Sequence, residues 1–126
     1  MTPSEKIIYE ILLLAKEMEP GICGDITPDK WEEIYEEIDG VFALYDATEE
    51  FRCSGIETDI PCEDSRHYES KSVAQKCSDG SWVGWTCWFG GGKHGEPDSI
   101  DWIEYAYDVN VTEEQKMVTV RTFSAS

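Results

Sequence analysis

The run Gly90-Gly91-Gly92-Lys93-His94-Gly95-Glu96-Pro97 gathers residue types from which a phosphate cradle, a metal site or an acid–base pair can be built. A phosphate-binding loop needs an earlier glycine, with four residues between it and the Gly-Lys pair, and a hydroxyl residue directly after the lysine. Cys87 and His94 stand at those two positions, so the motif fails at both ends. His94, Glu96 and Asp98 would make a carboxylate-rich metal site, but nothing in their spacing enforces one. Structural zinc normally uses at least one close cysteine pair. None of Cys23, Cys53, Cys62, Cys77 and Cys87 is that close to another, and eight residues separate Cys53 from Cys62. His94 with Asp98 or Asp101 has the chemistry of an acid–base pair, and Cys87 that of a nucleophile. No nucleophile elbow or zincin helix surrounds them. No catalytic residue, metal ligand or cofactor is assigned.

What remains is a loop of free backbone bearing one cation, Lys93, and one imidazole, His94. It reads either as a partner-contacting loop or as a plain connector. Just before it, "SWVGWTCWF" places Trp82, Trp85 and Trp88 three apart. Trp85 and Phe89 are expected in the core. Trp82 and Trp88 face the other way, either covered by neighbouring chain or available to a partner, since Trp and Tyr dominate interface hot spots.

The charge balance narrows the partners. Twenty-seven acidic residues against ten basic ones give a formal charge of −17. Such a chain repels nucleic acid and anionic membrane and is drawn to basic surfaces, including those that normally hold nucleic acid. A chain of 126 residues that is 40% hydrophobic is expected to fold as one domain, 1–126. No basic leader and no apolar run long enough to span a bilayer is evident, so a cytoplasmic protein with reduced cysteines is expected.

The elements that must position these residues divide at about residue 50. Thr2-Pro3-Ser4-Glu5 is a capping box with proline at the first helical position, which predicts a helix through "EKIIYEILLLAKEM" that stops at Pro20-Gly21. Thr27-Pro28 starts a second helix, with Trp31, Ile34, Tyr35 and Ile38 inward. Gly40 breaks it, and Val41, Phe42 and Leu44 add a further turn. Its outer face carries Glu32, Glu33, Glu36 and Glu37, a row of like charges that is either a tolerated solvated face or a surface kept for a basic partner.

Residues 46–66 read as loops with one short strand near 55–60. In 66–126, Asp79-Gly80 predicts a two-residue hairpin turn. That turn pairs Lys76 with Val83, Ala74 with Trp85, Ser72 with Cys87 and Ser70 with Phe89. A short helix is expected near 98–105, followed by a second hairpin of "YAYDVNV" and "KMVTVRTF". The sum is an α+β domain in which N-terminal helices pack on a small antiparallel sheet of two hairpins, about three to five strands.

The run W-x-G-W-T-x-W-x-G-G-G-K-H-G-E-P, with "RHYESKSVA" before it and "VTVRTF" after, resembles a family of short acidic proteins of tailed phages and prophages of enteric bacteria. The resemblance covers residues 66–123 and brings no catalytic residues with it. It implies a setting in which small acidic proteins act on host proteins, some as DNA mimics. The expected function is therefore that of a non-enzymatic phage protein in the host cytoplasm. It would bind and inhibit a host nucleic-acid-handling or defence protein of restriction, CRISPR or recombination type. Glu32, Glu33, Glu36 and Glu37 would stand in for phosphates, while Trp82, Trp88, Lys93 and His94 would add specific contacts. The alternative is a small-ligand or metal-binding domain, enzymatic or not, centred on loop 90–98.

Overall fold

A computed structural model describes residues 1–62, 69–89 and 102–112. Among these residues three helices precede a four-stranded antiparallel sheet, an α+β arrangement. Helix α1 is Pro3–Met18, α2 is Trp31–Glu37 and α3 is Phe42–Arg52. Strands β1 (Ile56–Glu57), β2 (Glu69–Lys76), β3 (Trp82–Phe89) and β4 (Tyr107–Val109) lie side by side in that order.

Helix α1 begins where its capping box places it. Thr2 Oγ1 accepts the Glu5 N–H at 3.2 Å, and Glu5 Oε1 accepts the Thr2 N–H at 2.9 Å. The hydrogen bonds from Thr2 hold the Glu5 carboxyl below its usual range. Ile7, Ile11, Leu12 and Ala15 are buried on one face, while Ile8 and Leu14 pack partly against the same core. Three contacts pin the helix across the sheet. Ser4 Oγ donates to the Ile103 carbonyl at 2.7 Å, and Lys6 pairs with Asp108 at 3.2 Å. Glu10 Oε1 accepts from both the N–H and the hydroxyl of Ser78, each at 2.7 Å.

Helix α3 corrects the expectation of loop over 46–52. Leu44, Ala47 and Phe51 are buried at helical spacing. Its start is invisible in the sequence because Val41, the N-cap, makes no side-chain capping bond. What separates α2 from α3 is Gly40, whose φ of +84° no other residue type adopts at low cost.

The hairpin register also differs from expectation. Gly80 N–H donates to the Cys77 carbonyl at 3.0 Å, and Cys77 N–H to the Ser81 carbonyl at 2.7 Å. This closes a three-residue loop, Ser78 to Gly80, with Gly80 at φ +90°. Three-residue loops of this kind combine a type I turn with a glycine bulge. The expected two-residue turn needs positive φ at Asp79 as well, and no non-glycine residue has it among the described residues. Instead the Asp79 carboxylate caps Ser81, accepting from its N–H at 2.9 Å and its hydroxyl at 2.6 Å. The extra loop residue moves every pair by one. Lys76 meets Trp82, Ala74 meets Gly84, Ser72 meets Thr86 and Ser70 meets Trp88.

A one-residue slip exchanges the faces of a strand. Val73, opposite Trp85, therefore joins the helical core with Cys77, Val83 and Cys87, where Ala74 had been expected. On the far face Tyr107 and Val109 of β4 lie against Gly84. A Cβ added at Gly84 would sit 2.5 Å from a Tyr107 ring carbon and 2.8 Å from a Val109 methyl. Gly84→Ala is expected to cost about 1–3 kcal/mol through overpacking, read as a lowered denaturation midpoint.

Of the later elements, Trp102 is followed by a turn closed by Ala106 N–H to the Ile103 carbonyl at 3.1 Å, so the expected helix does not continue there. The start of that helix, 98–101, and the expected strand "KMVTVRTF" lie outside the described residues.

Candidate functional site

Helix α2 is held by Trp31, Ile34 and Ile38, all buried on the core side. That leaves Glu32, Glu33, Glu36 and Glu37 exposed, as expected. None of the four has an ion pair among the described residues, where the pairs are Lys6–Asp108, Lys16–Asp25 and Arg52–Glu49. Glu32–Glu36 and Glu33–Glu37 are like-charge neighbours one turn apart, each pair destabilising the helix. Glu36 and Glu37 also sit at the helix's negative end, with no basic residue in the last turn. At ~1.5 Å of rise per residue, four carboxylates over the six residues 32–37 give about one charge per 2.3 Å of axis, a dense row though sparser than the roughly 1.7 Å of duplex DNA.

Directly after Gly40 the chain turns an apolar edge outward. Val41, Phe42 and Tyr45 are exposed, Phe42 at 74% and Tyr45 at 55%. The Phe42 and Tyr45 rings lie side by side, centroids 6.4 Å apart. They border a groove of about 540 Å³ whose lining includes Tyr35, Asp39, Leu44, Glu49 and Trp102. The sequence reading missed this patch. The signal was present, because Leu44, Ala47 and Phe51 define an inward face that leaves Phe42 and Tyr45 pointing away.

The groove is anchored from behind. Phe51 stacks on Trp85 at 5.0 Å and on Trp102 at 6.4 Å. Arg52 Nη2 donates to Glu49 at 3.0 Å, and its Nη1 donates to the Trp88 carbonyl at 2.8 Å. Burial works against the charge on Arg52, but the Glu49 hydrogen bond and charge outweigh it and leave its pKa raised.

The tryptophans expected at a partner surface fall differently. Trp82 is half-buried beside Lys76 and Val109. Trp88 is buried, at 9% exposure, on the face of β3 opposite Trp85. Lys93 and His94, with loop 90–98 and its alternative ligand site, lie outside the described residues. Helix α2 and the Phe42 edge are adjoining; Trp82 sits on the sheet.

All five cysteines are free. Burial pushes Cys77 up to about 11, with Glu10 and Asp79 adding to it, and burial likewise raises Cys87. Cys87 lies in the buried core, where a thiol normally serves as packing. Exposed Cys53 is expected to react first with an alkylating reagent in the native protein, and Cys77 only as pH rises toward its pKa. Mass mapping of labelled peptides across a pH series reads this order.

No group of three or more metal-ligating side chains occurs among the described residues. No helix among them is long and apolar enough to cross a membrane. Neither a protein-family model, nor a curated protein, nor a solved structure matches the chain.

Proposed function

We propose that this protein is a non-enzymatic binding protein. It docks its acidic α2 face on a basic, nucleic-acid-handling surface of another protein and blocks that surface as a mimic of DNA. The observation that carries this reading is the set of unpaired, exposed carboxylates Glu32, Glu33, Glu36 and Glu37 beside the exposed Phe42–Tyr45 edge. Acids alone give long-range attraction and fast association but little specificity. An aromatic anchor next to them supplies the central contact around which interface energy concentrates.

Helix α2 also works against itself. Its charges oppose one another, Glu36 and Glu37 oppose its dipole, and the buried Trp31, Ile34 and Ile38 with the partly buried Tyr35 hold it against the core. A local rule broken without internal compensation is most often found where function requires it. The resemblance to phage proteins supplies a setting, with a host restriction, CRISPR or recombination protein as the target and the host cytoplasm as the place.

Affinity capture tests the reading. The immobilised chain is incubated with nuclease-treated enterobacterial lysate at low and moderate salt. The expected result is a nucleic-acid-binding protein held at low salt and released by moderate salt or by added DNA. Capture of no specific protein at either salt contradicts the reading.

A further inference from the structure

We infer that the groove at the α2–α3 corner is a cation subsite that takes an arginine side chain from an extended basic segment of the partner; the inference rests on the docking reading above. The walls of the groove include four aromatic rings, Tyr35, Phe42, Tyr45 and Trp102, and two carboxylates, Asp39 and Glu49. Its volume of about 540 Å³ falls within the roughly 300–1,000 Å³ common for sites that seat small organic groups.

The combination selects one chemistry. An anion is repelled by Asp39, by Glu49 and by the acidic face of α2 beside them. A purely apolar side chain would strip water from both carboxylates and leave Asp39 unpaired, which is costly. A cation with a broad, weakly hydrated face satisfies both kinds of wall at once. Guanidinium stacks flat on aromatic rings and presents a fork of donors to a carboxylate. The ammonium of lysine is a compact, strongly hydrated charge that gains less from the rings and forms no fork.

Asp39 is exposed and makes no ion pair among the described residues, so its carboxylate is the first acceptor. Glu49 already accepts from Arg52 Nη2. A carboxylate has about four lone-pair sites, so Glu49 retains capacity for a second donor. Phe42, 74% exposed, is the ring most open to an incoming side chain. An extended segment would then run its remaining basic residues along Glu32, Glu33, Glu36 and Glu37.

The test titrates the full chain with nona-arginine and with nona-lysine at moderate salt, read by calorimetry. Nona-arginine is expected to bind roughly tenfold more tightly, the scale of a partly desolvated cation–π contact. Phe42→Ala and Asp39→Asn, both at exposed positions, are expected to bring that preference close to unity. Thermal unfolding of each variant confirms that it is folded. Equal affinity of the parent protein for the two peptides would overturn the arginine subsite and leave the acidic face standing. A preference that survives Phe42→Ala would overturn it as well. Failure of both peptides to bind would overturn the subsite and the docking reading together.

Discussion

Trp85→Ala is expected to lower stability by about 3–5 kcal/mol, the cost of emptying a large buried aromatic site. Trp85 has no exposed surface and stands where the helices meet the sheet. It stacks on Phe51 at 5.0 Å, meets Trp102 at 5.6 Å, and donates from Nε1 to the Arg52 carbonyl at 3.2 Å. Truncation opens a cavity among rings too rigid to collapse into it, and leaves the Arg52 carbonyl without its donor. Domains of this size are stable by only ~5–15 kcal/mol, so such a loss removes a large share of the total. Trp85→Phe keeps a ring against Phe51 and loses chiefly the hydrogen bond, and about 1 kcal/mol is expected. Chemical denaturation of the two variants separates packing from hydrogen bonding. A Trp85→Ala loss below 1 kcal/mol would mean that the aromatic cluster does not hold the two layers together.

Charge reversal on α2 should act on binding and spare the fold. Glu33→Lys with Glu36→Lys moves the face by four charge units and removes half of its carboxylates. Binding to a basic partner is expected to weaken by about 3 kcal/mol, roughly 100-fold. The same change gives the helix opposite-charge pairs at i,i+4 spacing with Glu32 and Glu37, each worth a few tenths of a kcal/mol. It also places a cation near the helix's negative end. The double variant is therefore expected to unfold at or slightly above the parent's midpoint. Loss of binding with stability retained is the signature of a face kept for a partner. Unchanged affinity would mean that the acids serve only as a solvated surface.

Much of this arrangement was legible in the sequence, and the misses have local causes. Thr2, Pro3 and Glu5 announce α1 because the capping box is written in side chains. Trp31, Ile34 and Ile38 give α2 its inward face and so fix where its glutamates point. Helix α3 was missed because its N-cap is Val41, which carries no polar side chain to mark a start. The alternation along β3 holds for Val83, Trp85 and Cys87, which share the buried face, but Phe89, expected in the core with them, is exposed at the end of the strand. The partner strand was inverted because one loop residue changes its register. Asp79-Gly80 is compatible with both loop lengths, and the choice was made by the Asp79 carboxylate reaching Ser81.

The site divides in the same way. The glutamates were legible from composition and period, since exposure of a charged helix face follows from burial of the other. The Phe42–Tyr45 edge was not, because it exists only once α3 is recognised and turned at Gly40. Trp88, expected as a contact, is buried, and a single strand's alternation carries no information about what lies over the second face.

The most direct test is competition. A labelled duplex is bound to the captured protein, and its anisotropy is followed as this chain is added. The parent protein is expected to release the duplex with a midpoint that rises with salt, and Glu33→Lys with Glu36→Lys to release none at the same concentrations. Release by both proteins alike, or a chain that binds its partner while the duplex stays in place, would contradict the claim that the α2 face occupies the nucleic-acid site.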